Sequence, residues 1–285
     1  MNDMLDGARA WVLDVDGCLM RTREAGGSGG TAMPGAADLV AGLHRAGHTV
    51  LVCTNASQHP PERYAAHLRA QGIDIGDDSF ITAGRAAADH VTLHHPGARV
   101  LVVGADGLTE PMERLGVPLV EPSSGVRADV VVVGAADSYT TATVNAAALA
   151  ADAGAPLYTT VDGPWVHGGV TKAVTMSAAV AHAVAGVTGA TPRVVGKPSP
   201  ALAETLTHRL AGHAGNAVVV GDSLTEVKLA RAIGARSVLV LSGATSIDQL
   251  DGLMGPEQPD LALADVAELH SRIAPTLRAQ QGALR

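Results

Sequence analysis

The feature that most constrains this chain is a repeated alternation. Short, nearly uninterrupted runs of Val, Leu and other apolar residues close on Gly, Asp or Asn, and Ala-rich segments with apolar residues every three or four positions separate them. The runs fall at 10–13, 49–53, 99–103, 128–133, 156–158, 194–195, 217–220 and 237–241. A strand buried on both faces loses the in-and-out alternation of a half-exposed one, so such runs predict a parallel sheet covered by helices. Helix-forming segments lie between them at 35–46, 61–71, 141–153, 173–187, 199–211 and 224–233. The alternation predicts an α/β fold with right-handed crossovers. A length of 285 residues suits one large domain of this kind or two smaller ones.

Charge and composition remove several functions. Asp plus Glu number 28 against 20 Lys plus Arg, a net charge of −8, and aromatic residues make up 2% of the chain. Without a basic stripe or stacking rings, no nucleic acid is expected as a partner. Gly, Asp, Thr or His breaks each apolar run well short of the roughly 18 residues a span requires, and the N-terminus does not read as a signal peptide, so no membrane is expected. Cys18 and Cys53 are too few for a disulfide framework and stand in no zinc-like cluster, which makes the cytoplasm the expected compartment. Two segments interrupt the alternation. The Gly-rich stretch 25–31 reads as a flexible exposed loop, and 187–193 as a hinge between domains.

Four strand ends carry the candidate chemistry. The first run closes on Asp14, Asp16 and Gly17. Carboxyl ends of parallel strands face the ligand crevice, and two acids this close ionise together only beside a cation, so one can keep a proton while the other stays nucleophilic. A solvated loop after a strand is the alternative. A calcium loop is excluded, because the position that must be Gly is Leu19. The second run leads into Thr54, Asn55, Ala56 and Ser57, where hydroxyls beside backbone N–H groups suit phosphate oxygens, although the same residue types cap helices. Lysine occurs only as Lys172, Lys197 and Lys228. Lys197 stands between a short strand and a helix begun by proline, where a rigidly held cation would neutralise a phosphoryl group. A P-loop does not fit, since Pro198 occupies its Ser/Thr position. Lys228 is expected to reach solvent, and Lys172 is unassigned. Last, Asp222 follows a strand and Glu226 falls on the same side of the next helical turn. Asp222 is then a direct or water-mediated Mg²⁺ ligand with Glu226 behind it, or both acids simply complement a helix N-terminus.

In the order Asp-x-Asp-Gly, Thr-Asn, Lys, Gly-Asp-x-x-x-Glu, these elements resemble the haloacid dehalogenase superfamily of phosphatases. The resemblance is to its class IIA subgroup, which contains nitrophenyl-phosphate, pyridoxal-phosphate, phosphoglycolate and glycerol-phosphate phosphatases and related nucleotidases. It covers nearly the whole chain, through the segments 33–36, 53–57, 195–200 and 221–243. It implies a Rossmann-like parallel-sheet core at 1–95 and 193–285, an inserted α/β cap at 96–192 that selects substrate, and a homodimer formed through the cap. Asp14 would be the nucleophile, Asp16 the general acid and base, and Lys197 the charge neutraliser. Gly17, Thr54, Asn55 and Ala56 would surround the phosphate, and Asp14, Asp16 and Asp222 would bind Mg²⁺, supported by Ser223 and Glu226. The implied reaction is Mg²⁺-dependent hydrolysis of a small phosphate monoester through an aspartyl phosphate. A phosphotransferase or phosphomutase using the same intermediate is one alternative, and a regulatory protein that binds phosphate without turnover is another. A nicotinamide-binding domain is a weaker one, because 103–107 lacks the glycines it needs.

The chain departs from the subgroup in places. Its last motif carries Glu226 where Asp is usual, one residue early. The loop before Thr31 is several residues longer, and Gly134, Ala135, Ala136 and Asp137 replace a Gly-aromatic-Asp triplet, which argues against a pyridoxal phosphate substrate. Trp165 and His167 fall in the cap region that faces substrate. They either meet the leaving group or form a cap-core Trp beside a surface His.

Overall fold

A computed structural model of the chain describes residues 5, 7–22, 29–123, 125, 127–168 and 171–283. The first strand, β1 (Ala10–Leu13), leads into an antiparallel pair, β2 (Met20–Arg21) and β3 (Thr31–Ala32), then α1 (Ala36–Arg45) and β4 (Thr49–Thr54). After α2 (Pro61–Ala70), β5 (Phe80–Thr82) and α3 (Ala83–His94), the chain crosses to β6 (Val100–Val103), α4 (Asp106–Arg114), β7 (Val130–Val133), α5 (Thr141–Asp152) and β8 (Leu157–Thr159). A hairpin, β9 (Trp165–Gly168) and β10 (Thr171–Val174), precedes α6 (Met176–Thr188) and β11 (Arg193–Val194). The return runs through α7 (Pro200–Arg209), β12 (Ala217–Gly221), α8 (Leu224–Ala232), β13 (Arg236–Val240), α9 (Ile247–Asp251), β14 (Leu261–Leu263) and α10 (Val266–Ala283).

Among the described residues the strands form a six-stranded sheet in the order β14-β13-β12-β1-β4-β5 and a four-stranded sheet in the order β11-β8-β7-β6, both parallel throughout. This is the α/β architecture the alternation predicts, in the arrangement the resemblance implies: a Rossmann-like core with an α/β cap inserted in it. Alternation of side chains along β1 explains why every residue of the strand is apolar. Trp11 and Leu13 enter the cluster that holds Leu39, Leu43, Leu269 and Ile273 of α1 and α10, whereas Ala10 and Val12 enter the opposite cluster with Leu202, Leu206 and Leu229 of α7 and α8. The second sheet is covered in the same way. Leu101, Val131 and Val133 face Ala147, Ala150, Ala181 and Val184 of α5 and α6, and Val100, Val130 and Val132 face Ala87, Val91, Leu108 and Met112 of α3 and α4. Small Ala side chains let these helices lie close to the sheets, which is how a chain nearly without aromatics still buries central strands such as β1, β7 and β12 along their whole length.

Pairing of Arg193 and Val194 with Tyr158 and Thr159 places β11 in the second sheet. The domain boundary expected at 193 therefore moves past Val194, because a strand belongs with the sheet that satisfies its backbone. The helix expected over 173–187 also begins later. Ala173 and Val174 pair with Val166 and Trp165 in the hairpin, and the helix starts at Met176 behind Thr175. Most of the 25–31 loop lies outside the described residues. No described helix is long and apolar enough to cross a membrane.

The lobes meet where two glycines let backbones touch. A Cβ on Gly84, in the first turn of α3, would lie 2.0 Å from the carbonyl oxygen of Gly107 in α4, and one on Gly107 would lie 2.3 Å from the carbonyl oxygen of Ser57. Gly84→Ala is therefore expected to destabilise the protein by about 1–3 kcal/mol in urea unfolding, through overpacking. A gain of about 0.4–1 kcal/mol, the usual effect of Gly→Ala at an unstrained helical site, would show that the contact is slack.

Candidate active site

Topology alone gathers the acids. β1 lies between β12 and β4, so Asp14 just beyond β1, Asp222 just beyond β12 and Thr54 at the end of β4 emerge side by side at the carboxyl edge. From β1 the chain builds toward β5 on one side and β14 on the other, and such a switch in strand order opens a crevice. The Asp14 N–H extends the ladder one residue further by donating to the Val220 carbonyl at 2.9 Å.

Lys197 is the centre of the arrangement and is only 7% exposed. Its ammonium donates to Asp14 Oδ1 and to the Cys53 carbonyl at 3.1 Å, and pairs with Glu226 Oε1 at 2.9 Å. Asn55 fixes its backbone: the Lys197 N–H donates to Asn55 Oδ1 at 2.6 Å, and Asn55 Nδ2 donates to the Lys197 carbonyl at 3.3 Å. The preceding residue must be Gly196, since a Cβ there would lie 2.2 Å from the Thr160 carbonyl oxygen and 2.6 Å from Asn55 Oδ1. Glu226 is equally buried and divides its carboxylate. One oxygen meets Lys197, while the other accepts the Ser223 N–H at 3.1 Å and the Ser223 hydroxyl at 2.7 Å, closing a capping box at the start of α8. Glu226 thus complements the helix N-terminus, as one of its two readings has it, and in addition meets Lys197, a partner neither reading named.

Asp222 Oδ2 accepts the Ala244 N–H at 2.6 Å, and two glycines make room for it. A Cβ on Gly17 or Gly243 would lie 2.3 or 1.9 Å from that oxygen, and Gly17 also has a φ of +72°, which favours glycine. The Gly17 N–H is given to the Met20 carbonyl at 2.9 Å, and the approach of Asp222 is a second reason the position requires glycine. Asn55 likewise spends its amide on Lys197. Thr54 and Ala56 do line the crevice, with the Ala56 N–H donating to Thr54 Oγ1 at 3.2 Å. Asp16 Oδ1 accepts the Thr22 hydroxyl at 2.9 Å, a contact no sequence motif announces, because the turn from β1 into β2 creates it.

Burial sets the electrostatics. It drives the Asp14 carboxyl well above the usual range, helped by Glu226, Asp222 and Asp16 and opposed by Lys197. Asp16 is raised by burial against the Thr22 hydrogen bond, and Asp222 is raised to about 6 by burial and the charge of Glu226. Burial would lower Lys197, but Asp14 and Glu226 outweigh it and hold the ammonium well above its ordinary value. Four carboxylates therefore share one ion-paired cation among the described residues. Asp14, Asp16 and Asp222 all line one cavity, an oxygen-only donor set short of positive charge, and that is what a hard divalent ion such as Mg²⁺ fits.

The cavity, of about 900 Å³, lies between the two lobes. Trp165, Val174 and Arg193 line it from the second lobe. Trp165 is 46% exposed, and the Lys172 ammonium sits 4.4 Å from its ring centroid, which gives Lys172 a place the sequence left open. His167 lies on β9, and its side chain is outside the described residues. Ser57 does not reach for phosphate: its hydroxyl accepts the Ala135 N–H at 3.0 Å and meets the Thr160 hydroxyl at 3.2 Å, tying the lobes together. Lys228 pairs with Glu257 at 3.2 Å on the exposed surface.

Comparison with known proteins agrees with this architecture. The family described as haloacid dehalogenase-like hydrolase matches residues 11–118, and a second, HAD-hydrolase-like, matches 194–269. The ribonucleotide monophosphatase NagD of Escherichia coli K12 is 29% identical over 260 residues, covering 90% of this chain and 96% of that protein. A D-glycerol 3-phosphate phosphatase of Mycobacterium tuberculosis is 30% identical over 245 residues, covering 82% and 63%. The solved structure of a glycerol phosphate phosphatase from Mycobacterium tuberculosis, in complex with magnesium, superposes with a TM-score of 0.80 at 28% identity, covering 93% of this chain and 78% of that one. The chain belongs to the haloacid dehalogenase-like hydrolases and is a phosphatase of their class IIA subgroup.

A pH dependence follows from Asp222. Because folding raises its carboxyl from 3.8 to about 6, the folded state holds a proton that the unfolded chain has released between those values. Its contribution to stability is complete on the acid side and is lost as pH rises through about 6. Without added metal, the urea midpoint of the wild type relative to Asp222→Asn is expected to fall across this window, and Mg²⁺ to reverse the fall. A difference that stays flat or rises with pH would contradict the assignment.

Proposed function

We propose that this phosphatase hydrolyses a small phosphate monoester through an aspartyl phosphate on Asp14, with Mg²⁺ as cofactor. The observation that carries the reading is the buried contact of Lys197 with Asp14 and Glu226 beside two further acids, Asp16 and Asp222, in one cavity. Asp14 is the nucleophile: its oxygen bonds to phosphorus as the bond to the leaving oxygen breaks. Lys197 holds the nucleophile in place and offsets charge on the phosphoryl oxygens, and Asn55 keeps that lysine from swinging away. Asp16, whose proton burial helps to retain, protonates the departing alkoxide. It then takes a proton from the water that attacks phosphorus, which frees phosphate and restores both acids. Asp14, Asp16 and Asp222 would hold Mg²⁺, which when bound supplies positive charge against the acids and the phosphoryl oxygens. Glu226 positions Lys197 instead of taking part in the transfer, which leaves its longer side chain and early place in the motif compatible with turnover.

The lobe built on the second sheet selects the leaving group. Trp165 and Arg193 offer an aromatic face and a cation beyond the acids, and relatives named for a ribonucleotide monophosphate and for glycerol 3-phosphate support a small phosphate ester as substrate. Both cysteines are free and buried, in keeping with the reducing cytoplasm.

Asp16→Asn separates the acid from the nucleophile. It should slow release of phosphate from an alkyl ester by about 10²- to 10⁴-fold and have a much smaller effect on nitrophenyl phosphate, whose leaving group scarcely needs a proton. Exhaustive chelation should abolish both activities, and Mg²⁺ should restore them. Equal losses on the two esters would remove Asp16 from the acid role, and full activity after chelation would remove the metal.

A further inference from the structure

Away from the cavity of the catalytic acids, α3 and α7 bring together a cluster of imidazole and carboxylate side chains. His90 and His94 stand four residues apart on one face of α3, and Glu204 faces them from α7. One donor atom from each of the three lies within 4.8 Å of the others. The carboxylate is already aimed at the imidazoles, with Glu204 Oε2 2.7 Å from His94 Nε2. The rings of His90 and His94 are 4.4 Å apart at their centroids. His90 Nδ1 is shielded from solvent and has no hydrogen-bond partner. An unpaired polar atom of that kind calls for an explanation, and a bound ion is one. The adjacent His95 is already engaged, its Nε2 2.8 Å from the Tyr158 hydroxyl.

We propose that His90, His94 and Glu204 form a second metal site, which takes a divalent transition-metal ion of the zinc type. Two imidazoles and one carboxylate are the donor set of three-ligand zinc sites, with water completing the coordination, whereas Mg²⁺ prefers oxygen alone. His94 and Glu204 are 43% and 47% exposed, so an ion can enter from solvent. Burial, then the neighbouring imidazoles of His94 and His95, hold His90 at about 4, which leaves its ring neutral and able to ligate near pH 7. None of the three residues lines the phosphate cavity, so the site is separate from the catalytic acids. Its position gives the ion something to hold. The chain leaves the first sheet for the second just after His94 and returns just before α7, and the ion would fasten the two helices that flank these crossings.

The test is binding of Zn²⁺ and Co²⁺ to the intact protein with Mg²⁺ in large excess to occupy the catalytic acids. Equilibrium dialysis should retain one Zn²⁺ per chain, and Co²⁺ should give the visible absorption of a low-coordinate nitrogen and oxygen site. Glu204→Gln, on the surface, should weaken Zn²⁺ binding by at least about tenfold, the lower end of what disturbing even an outer partner of a metal site costs. His90→Ala should abolish the Co²⁺ absorption, while Asp222→Asn keeps both signals. Zn²⁺ retention unchanged in Glu204→Gln, signals lost in Asp222→Asn but kept in His90→Ala, or no retention in the wild type would each overturn the proposal.

Discussion

Everything at the crevice depends on one buried cation. Lys197 stands buried between Asp14 and Glu226, and without it four acids would repel one another at the edge of the sheet. Burying a charge is costly unless it is paired and hydrogen-bonded, so the fold spends many contacts on this one ammonium. Asn55 clasps its backbone, Gly196 lets that backbone approach, and the Cys53 carbonyl and the capped Glu226 complete its shell. The arrangement still leaves a deficit of positive charge. That deficit is the physical reason the site suits a divalent ion, whose charge would offset the acids and the phosphoryl oxygens of an anionic substrate.

The same contacts explain how the cavity joins two lobes. Lys197 follows the strand that closes the second sheet, yet its ammonium ends against acids carried by the first. Ser57 makes the reverse connection, leaving the end of β4 to bond Ala135 and Thr160. Asp14, Thr54 and Asp222 are thus carried by the first sheet, while Trp165 with Lys172 over its ring lies on the β9/β10 hairpin across the cavity.

Much of this was legible in the sequence, for physical reasons. Eight of the ten strands of the two sheets announce themselves because doubly buried strands must be continuously apolar, whereas the three-residue edge strands β5 and β14 are too short to stand out, and Asp14 and Asp222 announce themselves because each follows such a strand directly. Lys197 was noticeable through the rarity of lysine. Three things were hidden. The role of Glu226 toward Lys197 depends on a contact between residues distant in sequence, and a capping acid looks the same whether or not a cation lies beyond it. Gly17 and Asn55 were placed around the phosphate by the resemblance, and the sequence did not show that a local turn gives the Gly17 N–H to Met20 or that the Asn55 amide reaches Lys197 across the chain. The hairpin took Ala173 and Val174 from a segment with helical composition, as pairing with a neighbouring strand commonly overrides weak helix propensity.

The central claim is that Asp14 carries the phosphoryl group in passing. It is tested most directly by quenching the reaction in acid during turnover, reducing the protein with borohydride and mapping the product by mass spectrometry. An acyl phosphate would appear as homoserine in place of Asp14 alone, in an amount matching the burst of released alcohol. Turnover with no burst and no modified Asp14, at a rate that survives in Asp14→Asn, would contradict the account.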